Sequence, residues 1–492
     1  MFRPLILAFL LFGSPASWAQ TTWFVPDDFA TIQSAIDGSS SGDTVVVRDG
    51  NWPGIISFNG KRITLKSENG PAVTSIDGGG AGTVVTFANN ETHGSVLEGF
   101  TVLNGAASKG GGAYFSAASP VVVDCVFRDN SATYGGGVFA ESVAEPMFLA
   151  CSFVNNNSDL GGGGVRCDYW SEPEFVDCLI SDNLASNGDG GGVYCVGSSP
   201  TFLGTEISNN LAGGFGGGVS AVDYAFPILT NCLVVRNASA GSGGGLACSY
   251  GANLSVKRTT VAENTAGNSG GGLWAYFSDF AMKDCILWGN TAGPGLDGID
   301  WPGALNMTVS YSCIQESQGQ PWAGTGCIDA DPLFVGGHYL RQVATGHLSD
   351  SPCVDAGVPT GPPSGTTRVD GGADIGQPDM GYHYPAGLSG PVLTVTNAVA
   401  GQSATIQVES CTPGGLVIAA YSLRGGGPIN TPWGTGLLTP PYTSLPSITA
   451  SGSGVAAWTV SVPSTASGAQ AWLQALDFGA GFLSNGVALT VQ

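Results

Sequence analysis

The sequence predicts an all-β chain: a right-handed parallel β-helix (solenoid) with a short N-terminal capping helix, followed by a small C-terminal β-sandwich. Three observations predict it. A glycine triplet followed by an apolar residue recurs seven times between Lys109 and Asn290. Within each unit, Cys/Thr, apolar and Asn residues recur at fixed offsets. From about Pro391 onward, charge nearly vanishes and short alternating segments appear between turn signals.

The N-terminus comes first in chain order. Arg3, the apolar run Leu5 to Phe12 and the small-residue site Ser17-Trp18-Ala19 have the layout of a secretory signal peptide. The apolar run is too short to span a bilayer. Cleavage after Ala19 is expected, and no later stretch reaches membrane-spanning length without Gly or charge. Ala30 to Asp37 has the spacing of a short amphipathic helix, and Gly42 to Arg48 reads as the first full strand. A helix over the first coil would shield the open end of the apolar column, a cap that solenoids need. Ile63 to Lys66 and Val96 to Val102 read as further coil strands.

The repeat follows. Its triplets are Gly110–Gly112, Gly135–Gly137, Gly162–Gly164, Gly190–Gly192, Gly216–Gly218, Gly243–Gly245 and Gly270–Gly272. Each opens an extended segment, a turn and a second extended segment. The second segment carries the column Cys125, Cys151, Cys178, Thr205, Cys232, Thr259, Cys285. An apolar column follows from Phe127 to Leu287, then Asn130, Asn156, Asn183, Asn210, Asn237, Asn264 and Asn290. The segments are short, alternating and bounded by Gly, as strands are and helices are not. One unit cannot bury its own apolar side, but stacking units at roughly 4.8 Å buries a continuous core.

Each column has a mechanical reading. The glycines take corners where the backbone needs positive φ or close approach. A phosphate-binding loop is excluded because no Lys follows any triplet. The Asn column reads as an amide ladder. The Cys column reads as reduced core thiols, with Cys167, Cys195 and Cys248 as a second, looser column. Cys313 and Cys327 are the better disulfide candidates. No CxxC occurs and there are four histidines, so a zinc framework is not indicated.

After Asn290 the pattern decays. Asp329 to Phe334, Ser351 to Gly357 and Asp374 to Tyr384 are expected to close the solenoid. Pro359 to Thr367 is loop, and Gly387 to Gly390 is the expected boundary. The predicted division is a signal peptide over 1–19, the β-helix over 20–386 and the sandwich over 390–492.

Composition narrows the function classes. With 37 acidic against 15 basic residues, the formal net charge is −22. Phosphates would be repelled, so nucleic acid is not an expected partner. Acidic polysaccharides would be repelled too, unless a divalent cation bridges the charges. Calcium is the one cofactor in view: Gly188-Asp189-Gly190 and Asp297 to Asp300 offer oxygen ligands, although neither matches a known calcium loop and a solvated acidic surface is the competing reading.

The segment Thr31-Ile32-Gln33, Ala35-Ile36 and Gly42-Asp43-Thr44-Val45, together with the repeats, resembles the pectin-lyase-like right-handed β-helix superfamily. The Gly-Gly-Gly-Val and Phe/Ile-x-x-Asn motifs are similar to those of chlamydial polymorphic outer membrane proteins. The segments Asp331 to Phe334 and Ser351 to Gly357 look like the ends of secreted planctomycete β-helix proteins. This resemblance implies the fold over roughly three quarters of the chain. It implies no single activity, because the fold hosts lyases, hydrolases and adhesins. The polygalacturonase motifs are not present as a set, Asp27-Asp28 precedes the helix, and Arg128, Arg166, Arg236 and Arg258 sit in no lyase motif. The chain ends Ala488 to Gln492 without the aromatic terminus of a membrane barrel.

One feature points to binding. Aromatics recur in the turn after the glycine strand: Tyr169-Trp170, Tyr224, Tyr250 and Tyr276-Phe277, with Asp168, Glu172, Glu174 and Asp223 nearby. An exposed aromatic row stacks on sugar rings, and carboxylates accept sugar hydroxyls. A packing ladder that only seals a corner is the competing reading. Tyr169, Trp170, Tyr224, Tyr250, Tyr276, Asp168 and Asp223 are therefore the candidate ligand-binding residues. His93, His338, His347 and His383 form no motif, and catalytic residues are not assigned. The expectation is a secreted or cell-surface, non-catalytic protein that binds a polysaccharide or cell-surface component. A polysaccharide lyase or glycoside hydrolase and a structural envelope component are the alternatives. Oligomeric state is not assigned.

Overall fold

The structure, a computed structural model, describes residues 20–303, 306–345, 347, 349–359, 365–369, 372, 374, 376–384, 392–409, 411, 415–424, 429–431, 434–436, 442–451, 455–477, 482–484 and 487–491. The leader over 1–19 and the boundary at 387–390 lie outside these residues.

Where two strands per unit were expected, each coil of the repeat has four, because the chain bends at both the Cys and the Asn columns. One coil runs Val121–Val123, Val126–Arg128, Ser131–Tyr134 and Val138–Glu141. Repetition of these strands makes four parallel sheets, here I to IV in that order, with 12, 11, 8 and 10 strands. Strand partners match column for column: Val122 with Phe148, Phe127 with Phe153, Val138 with Val165. Inward residues form one continuous core. In it Phe148, Phe175 and Phe202 stack face to face at 4.9 Å per step.

The bend from sheet I to sheet II needs a left-handed residue, supplied by Asp124, Asp177 and their equivalents (φ 47° and 51°). The next residue is the Cys/Thr column, and its side chain serves the backbone. Cys178 Sγ lies 3.5 Å from the Phe148 carbonyl of the preceding coil, and Thr205 Oγ1 lies 3.3 Å from the equivalent Phe175 carbonyl. Hydroxyl and thiol do the same job, which is why they interchange and why Ser312 follows Cys285. Cys313 and Cys327 are both free thiols. The expected Cys313–Cys327 bridge is absent, because Cys313 is not in an irregular loop. It begins the last strand of sheet II, is buried, and packs with Leu340 and Cys353.

At the bend from sheet II to sheet III the Asn column forms the expected ladder. Asn183 donates to Phe153 O at 2.8 Å and Asn210 Oδ1 at 2.9 Å, and accepts from Asn156 N and Nδ2, both at 3.0 Å. The glycine triplet makes room for it. Gly162 has φ 69°, a Cβ on Gly163 would lie 2.4 Å from the Gly191 carbonyl, and one on Gly164 would lie 2.9 Å from Asn183 Nδ2. The two columns therefore require each other.

The N-terminal cap is the helix Ile32–Gly38, started by a Thr31/Ser34 capping box and burying Ile32, Ala35 and Ile36. The segment after residue 332 does not close the end of the solenoid as expected. It doubles back along the outside of sheet II. There Leu233, Val235, Ala262 and Ile286 point outward yet are buried, where earlier coils place Arg128 and Ser152. Phe334, Tyr382 and Met380 cover them. Asn231 clamps His383 with a donated bond at 2.7 Å and an accepted one at 2.8 Å. An apolar outer column needs a cover, and this segment supplies it.

From Val392 the sheets are antiparallel. Strands Val392–Thr396, Ser403–Glu409 and Ala456–Ser461 form one sheet; Leu416–Ser422 and Gln470–Asp477 lead a second. Both contribute to one core containing Leu393, Ile406, Val417 and Leu473, as a small sandwich requires.

Candidate functional site

Sheet IV carries the candidate site on its outer face. Its inward residues (Val165 and Cys167 in one coil) are invariably small or apolar, as the core demands. Its outward residues vary from coil to coil: Tyr114, Phe139, Arg166, Tyr194, Ser220, Ala247 and Trp274 occupy one column. The column of Glu141, Asp168, Val196, Val222, Ser249 and Tyr276 lies beside it.

One half of this face is a charged network. Glu141 accepts from both Lys109 Nζ (2.8 Å) and Tyr114 OH (2.5 Å). Arg166 Nε reaches both Asp168 oxygens at 3.0 and 3.1 Å. The Arg166 guanidinium lies between the rings of Tyr134 (4.6 Å) and Tyr194 (4.8 Å). Burial pushes the Asp168 carboxyl up, against the pull of Arg166. Asp168 is thus buried and committed to Arg166, and does not stand with the aromatic row as expected.

The other half is a depression of about 450 Å³ lined by Asp189, Tyr194, Phe215, Asp223, Trp274 and Tyr276, among others. Asp189 accepts from Phe215 N at 2.7 Å, and its burial raises its pKa. Tyr276 is half-buried on the strand Leu273–Tyr276. Counting back from the Cys column sets it level with Tyr250. Strand register instead pairs it with Ser249, because the turn of that coil is one residue shorter. Phe277 is the residue level with Tyr250.

The turn from sheet IV back to sheet I carries the rest of the row. Tyr169, Trp170, Tyr224 and Tyr250 are 63, 70, 68 and 60% exposed. The Tyr224 ring also lies over Gly251 in the turn of the next coil. Asp223 is exposed at the same turn. The turn holds them at φ 52°, 62°, 62° and 54°, and Asp223 at 53°.

The two acidic loops considered for calcium spend oxygens on their own backbone and neighbours. Asp297 accepts from Ala292 N at 2.6 Å, and Asp300 from Ser269 Oγ at 2.5 Å. Among the described residues no group of three or more His, Cys, Asp or Glu is placed to hold a metal ion. No helix among them is long and apolar enough to cross a membrane.

A family model described as "Right handed beta helix region" matches residues 36–215 and 161–309, more than half of the chain. The chain belongs to this family. No curated protein matches this β-helix protein. Among solved structures it is similar to a pectin methylesterase from carrot, with 11% identity and a TM-score of 0.34, over 60% of this chain and 90% of that one.

The β-helix holds one polar cluster that sequence reading missed. His383 is buried, with Nε2 3.0 Å from Asp374 Oδ2 and Nδ1 3.0 Å from Gly381 O. Asp374 Oδ2 also accepts from Asp379 N at 3.0 Å, and Asp379 accepts from Gln342 Nε2 at 3.1 Å and Asp355 N at 2.7 Å. Burial pushes the Asp379 carboxyl up to about 6. These residues recur in no column, so periodicity carried no signal for them.

Proposed function

We propose that this β-helix is a secreted or cell-surface protein that binds carbohydrate, without catalysis, through the aromatic row at the turn between sheets IV and I. One observation carries the reading. The turn takes one or two left-handed residues, and glycine supplies one of them without cost at Gly197 (φ 54°) and at Gly251 (φ 79°). Tyr169, Trp170, Tyr224 and Tyr250 take the same positions with their rings exposed, at a backbone cost of order 1 kcal/mol each. Rings held outward at a cost to folding are gaining something from contact with a partner. Flat exposed rings suit the C–H face of a pyranose, and the adjacent Asp223 suits its hydroxyls.

The test is affinity electrophoresis of the purified protein on neutral and acidic polysaccharides, with reducing-end release measured in parallel. Trp170→Ala and Tyr250→Ala are expected each to weaken binding by about tenfold, roughly 1.4 kcal/mol, with an unchanged melting temperature. Released reducing ends would favour the hydrolase alternative. Unchanged binding in both variants would sink the aromatic-row reading.

A further inference from the structure

The depression on sheet IV lies beside the aromatic row and shares Tyr250 and Asp223 with it, but most of its lining is other residues. Ser220 and Ala247 occupy the outward column that Tyr194 fills before them and Trp274 after them. Two coils of small side chains between large ones leave a cavity of about 450 Å³, within the usual range of ligand pockets.

Its walls differ in kind from the open row. Phe215 and Trp274 are parallel at 4.8 Å and 6°, and Trp274 and Tyr276 are parallel at 5.5 Å and 1°. Together they form one stacked aromatic wall, with Phe215 as its exposed ring. Tyr194 stands on the opposite side and is held from behind by the Arg166 guanidinium, itself anchored on Asp168. The charges in the lining are Asp189 and Asp223, and no Lys or Arg takes part in it. Asp189 Oδ1 is engaged by Phe215 N, which leaves Oδ2 as an acceptor.

Resting on the carbohydrate reading, we infer that this cavity seats one uncharged pyranose residue of the glycan, and that its two carboxylates exclude acidic sugars. The exposed Phe215 ring of the stack suits the C–H face of a pyranose. Carboxylates are acceptors only, so the ligand must bring donors, and sugar hydroxyls are donors. A uronate would bring a like charge into a partly buried, cation-free site, with no ion pair to offset its desolvation. An acidic pectin-type chain is therefore the wrong ligand for this pocket.

Isothermal titration of the full mature protein in calcium-free buffer tests this. The probes are cellohexaose, mannohexaose, xylohexaose, a glucosamine hexamer and a galacturonate hexamer. At least one neutral hexamer is expected to bind, and Trp274→Ala and Asp189→Asn each to raise its Kd by roughly tenfold. No binding of the galacturonate hexamer is expected. Melting curves check that both variants fold, and Asp189→Asn keeps the shape of the site if Trp274→Ala does not. Tighter binding of the galacturonate hexamer than of any neutral probe overturns the inference, as does binding confined to the glucosamine hexamer. Neutral binding that survives both cavity variants but is lost in Trp170→Ala also overturns it, and leaves the aromatic-row reading standing. Binding of no probe at all removes both.

Discussion

Replacing Asn183 by alanine removes four hydrogen bonds from the middle of the amide ladder. Asn183 Nδ2 donates to Phe153 O and Asn210 Oδ1, and Asn183 Oδ1 accepts from Asn156 N and Asn156 Nδ2. Asn183 is 1% exposed, so water does not replace them in the folded state. The Asn156 N–H loses its acceptor outright, a penalty of about 1–3 kcal/mol for a buried donor. The Asn156 side-chain amide still donates to Phe127 O and the Asn210 oxygen still accepts from the Asn183 N–H, so the other three bonds cost only their net worth, about 0.5–1.5 kcal/mol each. The expected loss is about 3–7 kcal/mol. Urea unfolding followed by circular dichroism measures it, with the slope checked because stacked repeats can unfold in parts. Hydrogen exchange should locate the loosening at the coils of Asn156 and Asn183. Asn187→Ala is the control: its amide bonds Asp159 at the exposed surface, and a change within about 0.5 kcal/mol is expected. A loss below about 1 kcal/mol for Asn183→Ala, with unchanged exchange at Asn156, would refute the claim that the ladder holds the coils.

Burial pushes the thiols of Cys125, Cys178, Cys232 and Cys285 up to about 12, so iodoacetamide at pH 8 should label half-buried Cys327 first and these columns only after unfolding; native-state labelling of Cys178 would contradict this. Cys178→Thr should cost less than about 1 kcal/mol by urea unfolding, since Thr205 makes the same bond to the coil before it. The Asp379 carboxyl is raised to about 6 by burial. The folded state therefore binds the extra proton, and this group's contribution is full below the ordinary carboxylate range and lost as pH rises through 6, by on the order of 2–3 kcal/mol. Asp379→Asn should flatten the pH dependence of the urea midpoint between about 4 and 6, and an unchanged profile would count against the buried cluster.

Much of the architecture is legible in the sequence because stacking is a nearest-neighbour interaction. Each residue of a coil meets its own equivalents above and below, so a required property repeats at the same position. The Asn ladder, the thiol column and the glycine triplets that admit the Asn side chains each appear as a column. Each column marks a bend where the backbone needs help. The capping helix was legible for a related reason, since its box and its three buried residues lie within eight positions of each other, from Thr31 to Gly38.

What the sequence alone determined, then, is whatever the repeat enforces: parallel coils, a reduced and apolar interior, polar ladders at the corners, and a change of architecture near Pro391. Only the tertiary structure decided what departs from the repeat. The cavity on sheet IV exists because Ser220 and Ala247 are small where neighbours are large, a contrast visible only once strand register aligns them. The row was found, but Tyr276 and Asp168 were misplaced in it, one by a shortened turn and the other by a buried arginine. The return of the segment after residue 332 over sheet II joins Asn231 to His383, residues 152 apart in sequence. Contacts at that distance depend on surface complementarity between non-repeating segments, and no column of equivalent residues records them.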